Sequence, residues 1–294
     1  MPGPRGTHVT IAGALFAVAA LVGSIVIAAP GQVANVDRHA IREKPPHRAL
    51  LVSDSAWLGV KTYGAIDAVQ GFEHMLDLGS CRRRVANSCR NYDDHVPITM
   101  YEEIAWRGDT FDTLVVATGY NDSDHNFAGD VDTIVNLARA NGYRRVVWLT
   151  LRSNVEYVSP DDAGFAAVFE RSNAALADIV ASGTYPELVI ADWASYAEDQ
   201  HAWFARDGIH LRIDGPWAAA DYISRKIAFL EDRACPMPDR PDVSALDPCP
   251  DPDVTGPTID LQGLYPIGWP NPTTGFHMEW AGHGSWPSPA WWLG

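Results

Sequence analysis

Three residues of types that carry acyl-transfer chemistry lie in two turn-like stretches of the sequence. Ser55 follows the run Ala49 to Ser53, and Asp207 and His210 lie in the stretch Arg206 to Leu211. A histidine can accept the proton of a serine hydroxyl as a general base, while a carboxylate orients the imidazole and stabilises its cation. These residues therefore indicate a serine nucleophile. The alternatives are a serine that caps a helix and a loop histidine bonded to a nearby carboxylate.

Acyl transfer also needs hydrogen-bond donors for the oxyanion, and two other stretches offer them. Asn121, in Thr118 to Asp122, has a side-chain amide that can donate such a bond. Gly79 has a backbone N–H that a ligand can approach without a side chain in the way. Both stretches also suit ordinary turns. Candidates for the substrate pocket are Trp57, Tyr120 and Asn154, with core packing as the alternative for the two aromatic residues and a turn for Asn154.

Alternating apolar runs and helical patterns must position these residues. The predicted strands are Ala49 to Ser53, Glu73 to Leu78, Asp112 to Ala117, Arg145 to Leu151 and Glu187 to Ala191. The predicted helices are Trp57 to Gln70, Ile98 to Arg107, Ala128 to Asn141, Pro160 to Ser182 and Pro216 to Asp232, with Ser159 as cap of the fourth. Strands separated by helices predict an α/β domain with a parallel five-stranded sheet covered on both faces.

The candidate residues share one position relative to this sheet. Ser55, Gly79, Asn121 and the loop with His210 each come after a different predicted strand. The carboxyl ends of parallel strands meet at one edge, where ligands of open α/β sheets bind. We therefore expect the four stretches to converge in a single cleft.

At these residues the sequence resembles the SGNH, or GDSL-type, hydrolases. Ser53-Asp54-Ser55, Gly119 to Asp122 and Asp207 to His210 are similar to the blocks of that family, in order and spacing. The resemblance covers about Ala49 to Leu230. It implies a flavodoxin-like three-layer α/β/α fold and transfer of ester-linked acyl groups without a metal or other cofactor. It also implies Ser55 as nucleophile, His210 as base, Asp207 as its partner, and an oxyanion hole of the Ser55 and Gly79 N–H groups with the Asn121 side chain.

Two departures from the family pattern are visible. Ser53 stands where the family's opening block has a glycine, and the second block is represented only by Gly79. Arg82, Arg83 and Arg84 follow Gly79 and could meet an anionic substrate, but a solvated run of charges is the preferred interpretation.

Composition and the N-terminal sequence bear on location and partners. The formal net charge of −15 argues against binding nucleic acid. Residues 9–29 carry no charge and are long enough to cross a bilayer, so residues 1–30 are predicted to be a signal peptide or a membrane anchor, with residues 31–47 as a linker. Either alternative places the chain outside the cytoplasm, secreted or anchored to the membrane.

The four cysteines fall into two local pairs, Cys81 with Cys89 and Cys235 with Cys249. In an exported chain an even number of cysteines indicates disulfides, and local pairing is preferred among three connectivities. Zinc lacks a suitable ligand spacing, and no metal site is predicted.

The catalytic domain is predicted over residues 48–234, followed by an irregular extension over residues 235–294. This extension is rich in Pro and Gly and contains Trp269, Trp280, Trp286, Trp291 and Trp292, which either stack on sugar rings or pack against the domain.

The predicted function is that of an exported serine esterase or O-acyltransferase. The expected substrate is an acylated glycan of the cell envelope or another ester. Similarity to exported SGNH domains also suggests a membrane acyltransferase as a partner. The alternative is an inactive module of the same fold that binds polysaccharide.

Overall fold

The structure, a computed structural model, describes residues 48–155, 164–236 and 247–257. Predictions for residues 1–30 and 31–47, for the helix start at Ser159 and Pro160, and for the tail tryptophans lie outside these ranges. No helix within these ranges is both long and apolar enough to span a membrane.

Five parallel strands form the central sheet, in the order β2-β1-β3-β4-β5. They are β1 (Arg48–Ser53), β2 (Glu73–Leu78), β3 (Thr113–Ala117), β4 (Arg145–Leu149) and β5 (Leu188–Ala191). The predicted parallel five-stranded sheet is confirmed, and each predicted strand end lies within two residues of the observed one. Strand β1 pairs with β2 on one side and with β3 on the other. The direction in which strands are added therefore reverses at β1, and ligands of such sheets bind at the carboxyl edge beside this point.

Helices cover both faces of the sheet. They are α1 (Gly59–Thr62), α2 (Met100–Arg107), α3 (Phe127–Ala140), α4 (Phe165–Ala181), α5 (Trp193–Tyr196), α6 (Gly215–Leu230) and α7 (Pro252–Thr255). Side chains alternate along β1: Leu51 packs in a core with α1, α5 and α6, whereas Leu50 packs in a core with α2, α3 and α4. The three-layer α/β/α architecture is therefore confirmed.

The helix predicted over Trp57 to Gln70 is wrong as a single element. The chain instead forms a 3-10 turn at Ser55–Trp57, the short helix α1 and a second 3-10 turn at Ala65–Ala68. Gly64 interrupts them with a left-handed backbone, at φ of 71°. Glycine adopts this conformation readily, so the helical backbone is broken here. The apolar spacing of the sequence nevertheless continues past the break.

Part of the predicted irregular extension is ordered against α6. Residues 247–257 contain the one-turn helix α7, and the disulfide Cys235–Cys249 joins this segment to the end of the domain. The buried Lys226 ammonium contacts Asp251 at 2.8 Å and Asp253 at 2.6 Å. Because a buried charge is costly unless it is paired, these two carboxylates fix the segment to α6.

Candidate active site

Ser55, His210 and Asp207 form a continuous chain of hydrogen-bond contacts. Ser55 Oγ lies 3.0 Å from His210 Nε2, and His210 Nδ1 lies 2.8 Å from Asp207 Oδ2. With its proton on Nδ1, the imidazole donates to Asp207 and presents the Nε2 lone pair to the Ser55 hydroxyl. The arrangement can therefore move a proton from the serine to the histidine.

The turn that carries Ser55 is organised by Asp54, whose importance the sequence analysis missed. Its buried carboxylate accepts three backbone hydrogen bonds, from the N–H groups of Ala56, Gly119 and Tyr120, each at 2.9 Å. Burial raises the pKa of Asp54, and these three hydrogen bonds offset part of that effect. Asp54 therefore ties the end of β1 to the turn after β3.

The departure at Ser53 has a structural role. The Ser53 hydroxyl is fully buried and donates to the carbonyl of Ala117 at 2.8 Å, while the Thr118 hydroxyl donates to the carbonyl of Val52 at 3.0 Å. These two bonds join the carboxyl ends of β1 and β3. A serine at this position strengthens the base of the turn without removing a catalytic group.

The loop that carries His210 is closed by its own backbone and anchored to the serine turn. Ala205 N–H donates to the His210 carbonyl at 2.7 Å, and both Ile209 N–H and His210 N–H donate to Asp207 Oδ1. The N–H of Leu211 donates to the Ala56 carbonyl at 3.0 Å. Leu211, the residue after His210, is thus hydrogen-bonded to Ala56, the residue after Ser55.

Charges around the imidazole favour its protonated form. Burial lowers the pKa of His210, but the hydrogen bond and charge of Asp207, together with the charge of Asp54, outweigh burial and raise it above 6.5. Burial by itself raises the pKa of Asp207. The hydrogen bonds with His210 and Ile209, together with the charge of His210, outweigh burial and lower this pKa below 3.8. Asp207 therefore stays ionised and stabilises the imidazolium that proton transfer creates.

Asn121 lies at the carboxyl end of β3, as expected, and contacts the loop after β2. Its Nδ2 donates to the Arg82 carbonyl at 3.3 Å, which uses one of the two amide hydrogens. The other hydrogen can serve a ligand. Ser55 is the first residue of its 3-10 turn, so its N–H makes no bond within the turn and is a second candidate donor.

The oxyanion role predicted for Gly79 is wrong in this structure. Its N–H donates to the Ser53 carbonyl at 3.0 Å, which extends the ladder between β1 and β2. A Cβ at this position would lie 2.9 Å from the Arg82 guanidinium. Glycine is needed here so that an arginine can cover the backbone, and its N–H is not available to an oxyanion.

The arginine run after Gly79 is not a solvated run of charges, contrary to expectation. Arg82 is 3% exposed and pairs with Asp77 at 3.1 Å. Arg84 is 1% exposed and pairs with Asp130 at 3.1 Å. These guanidiniums stabilise the loop beside Asn121 from within.

The three predicted pocket residues have different surroundings. Trp57 is 3% exposed and packs against Trp193 at a ring distance of 5.6 Å, so its predicted substrate contact is wrong and it belongs to the core. Tyr120 packs edge-on against Phe169 at 5.0 Å, and its hydroxyl accepts a bond from the Arg152 N–H at 2.8 Å. Asn154 is exposed, and its carbonyl accepts a bond from the Arg152 side chain.

Both local cysteine pairings are present as disulfides. Cys81 and Cys89 lie 5.2 Å apart between Cα atoms, and Cys235 and Cys249 lie 4.5 Å apart. In the described part of the chain, no three His, Cys, Asp or Glu side chains cluster in a way that could hold a metal ion.

No protein-family model and no curated protein matches the chain. Among solved structures it is similar to the C-terminal catalytic domain of the Streptococcus pneumoniae peptidoglycan O-acetyltransferase OatA, which carries a methylsulfonyl adduct. The identity is 20% over 64% of this chain and 96% of that chain, with a TM-score of 0.46. It is also similar to a carbohydrate acetylesterase from Sinorhizobium meliloti, at 16% identity over 63% of this chain and 99% of that chain, with a TM-score of 0.45. At these TM-scores and identities neither the fold nor the chemistry is inferred from the two structures, and both rest on the residues of this chain.

Proposed function

We propose that this chain is a serine esterase or O-acyltransferase acting on ester-linked acyl groups. Ser55 is the nucleophile, His210 the general base and Asp207 the residue that orients the imidazole. The observation that carries the proposal is the 3.0 Å separation between Ser55 Oγ and His210 Nε2, with Asp207 2.8 Å from the other ring nitrogen. Geometry of this kind matches the requirement that a nucleophile and an oriented base lie within hydrogen-bond reach.

The reaction proceeds through an acyl-enzyme. Ser55 Oγ attacks the ester carbonyl while His210 Nε2 takes the hydroxyl proton, and the carbonyl oxygen becomes an oxyanion. Collapse of this intermediate breaks the ester bond, and His210 returns the proton to the leaving alcohol. Water then attacks the acyl-Ser55 ester in an esterase, or a carbohydrate hydroxyl attacks it in a transferase, with His210 again as base.

The oxyanion is stabilised by the Ser55 N–H and by the free amide hydrogen of Asn121. Both groups are held in place before the reaction: Ser55 by the Asp54 turn, and Asn121 by its bond to the Arg82 carbonyl. Donors fixed in advance cost little reorganisation when the negative charge develops. In this proposal the Ser55 N–H and the Asn121 amide form the oxyanion hole without the Gly79 N–H.

An extracytoplasmic, acylated glycan is the substrate class we propose. Two disulfides suit an oxidising compartment, and the uncharged N-terminal segment suits export. The acidic net charge is unsuitable for nucleic acid.

Turnover of p-nitrophenyl acetate by the full chain tests the proposal. Ser55→Ala and His210→Ala should each lose at least about a thousandfold in kcat, because members of a triad act as a unit. Ser195→Ala is the matched control, since Ser195 is an exposed serine on α5, and it should keep the wild-type rate. Equal rates for all four proteins would refute the proposal.

A further inference from the structure

A guanidinium is buried beside the loop that carries the proposed base. Arg152 comes three residues after the end of β4 and is 1% exposed. A buried cation is costly unless its donors are satisfied, and a guanidinium has five N–H donors in a planar fork. The partners of this fork therefore show what the arginine holds together.

The fork of Arg152 binds backbone carbonyls from three separate stretches of the chain. Nη1 donates to Gly208 at 2.8 Å and also to Asn154. Nε donates to Ala197 at 3.2 Å, and Nη2 donates to Glu198 at 3.2 Å. One side chain thus joins the segment after β4, the end of α5 and the loop between Asp207 and His210.

Gly208 is the contact that connects Arg152 to the chemistry. It lies between Asp207 and His210, and its φ is 73°, which favours glycine. A Cβ here would lie 2.8 Å from the Asn154 carbonyl and 3.0 Å from Arg152 Nη1. Glycine therefore permits both the loop conformation and the close approach of the guanidinium.

Two further contacts extend this support to both sides of the site. The Arg152 guanidinium lies over the Phe204 ring at 4.4 Å, and Phe204 forms a β-bridge with Leu211, the residue after His210. The backbone N–H of Arg152, which does not depend on the side chain, donates to the hydroxyl of Tyr120, the residue before Asn121. The guanidinium therefore supports the loop of the base, while the backbone at residue 152 supports the turn of the amide donor.

We infer that Arg152 is a positioning residue: by holding the Gly208 carbonyl, it fixes the Asp207–His210 loop at hydrogen-bond distance from Ser55. The inference rests on the proposed function. A lysine at this position would keep the charge but would not bond several carbonyls in one plane, so Arg152→Lys isolates the contribution of the fork. Misplacement of a catalytic group by about 1 Å can cost a hundredfold in rate.

The test compares Arg152→Lys with Arg225→Lys in the full chain. Arg225 is also a buried guanidinium, 2% exposed, but it bonds Asp221 and the Tyr196 hydroxyl. Melting temperature, kcat and KM are measured for p-nitrophenyl acetate. We expect Arg152→Lys to lower kcat by about a hundredfold with KM nearly unchanged, while Arg225→Lys keeps kcat at any comparable loss of melting temperature.

A rescue experiment gives a second readout, which a general loss of stability would not reproduce. In Arg152→Ala, millimolar guanidinium chloride should raise kcat, whereas equal sodium chloride should not, and Arg225→Ala should show no such gain. Equal kcat in the two lysine variants, or no gain from guanidinium in Arg152→Ala, would overturn the inference. Failure of the proposed function itself would appear separately, as full activity of Ser55→Ala.

Discussion

The Oδ2 oxygen of Asp54 accepts a hydrogen bond of 2.9 Å from the backbone N–H of Gly119. This bond joins the residue before the proposed nucleophile to the turn that carries Asn121. The same oxygen also accepts the N–H of Tyr120, and Oδ1 accepts the N–H of Ala56. A single buried carboxylate therefore sets the distance between the serine and the amide donor.

Asp54→Asn should lower both activity and stability. An amide has one acceptor oxygen, so it cannot accept all three backbone N–H groups, and each unsatisfied buried group costs about 1 to 3 kcal/mol. We expect a loss of about 2 kcal/mol in the free energy of unfolding and a fall of about tenfold or more in kcat. Urea unfolding and esterase kinetics measure the two effects.

Asp192→Asn is the control for this prediction. Asp192 accepts the N–H of Ser195 as the cap of α5, at the carboxyl end of β5. Asparagine caps a helix about as well as aspartate, so neither the free energy of unfolding nor kcat should change measurably. Wild-type kcat in Asp54→Asn would contradict the proposed role of Asp54.

The pH dependence of kcat/KM should report the environment of His210. The base must be neutral, so activity rises as pH increases through the raised pKa of His210. Asp207→Asn removes the largest influence that raises this pKa while burial continues to lower it. The acid limb should therefore move to lower pH, and kcat should fall by roughly a thousandfold or more because the orienting acceptor is lost.

Asp199→Asn, at an exposed aspartate, is the control for that profile and should leave it unchanged. An acid limb that stays in place or moves to higher pH in Asp207→Asn would show that Asp207 does not raise the pKa of the base.

The two disulfides should differ in their effect on catalysis. Cys81–Cys89 closes an 8-residue separation and Cys235–Cys249 one of 14 residues. Loss of either should cost roughly 2.5 to 3 kcal/mol of stability on the chain-entropy account. Only Cys81 adjoins Arg82, whose carbonyl accepts the Asn121 amide.

We therefore expect the double variant Cys81→Ser/Cys89→Ser to lower kcat, and Cys235→Ser/Cys249→Ser to keep it, when both are assayed below their melting temperatures. Equal kcat values in the two double variants would contradict the link between the disulfide loop and Asn121.

The buried Glu103, which lies beside the partly exposed Asp77, should make stability pH-dependent. Burial, with the nearby Asp77, raises the pKa of Glu103 from 4.5 to about 7. The protonated form is therefore favoured in the folded state, so its stabilising contribution is complete below pH 4.5 and is lost as pH rises through about 7. Glu103→Gln mimics the protonated form and should remove this loss.

Urea unfolding at about pH 5 and about pH 8 tests this expectation. Relative to wild type, Glu103→Gln should gain about 1 to 3 kcal/mol between the two pH values, since each pKa unit corresponds to about 1.4 kcal/mol. The exposed Glu170 provides the control variant Glu170→Gln. If the free energy of unfolding of Glu103→Gln changes between about pH 5 and about pH 8 as much as that of the wild type, this pH dependence does not come from Glu103.

The sequence was sufficient to predict the sheet because its strands are buried on both faces. Such strands appear as short apolar runs bounded by turn residues, and all five observed strands coincide with predicted ones. The sequence pattern predicts a single helix after Ser55 because the apolar spacing continues past Gly64. The left-handed backbone of this glycine is not visible in a periodic pattern.

The position of a residue that follows a strand was easier to predict than the position of a residue that depends on contacts distant in the sequence. Ser55 and His210 converge because both follow strands of one parallel sheet. The bond from Gly79 N–H to Ser53 depends on the register of β1 and β2, and the burial of Arg84 depends on Asp130, 46 residues away. The apolar pattern also gave no reason to separate Arg152 from a surface arginine, although its position just beyond a buried strand was a usable signal.

Mass spectrometry after reaction with a fluorophosphonate probe tests the central claim most directly. The proposed site predicts one adduct per chain, located on the peptide that contains Ser55, and no adduct in Ser55→Ala. His210→Ala should react much more slowly at the same residue, because the serine then has no base. Turnover of p-nitrophenyl acetate by a protein whose Ser55 stays unmodified, or an adduct at another residue, would contradict the account.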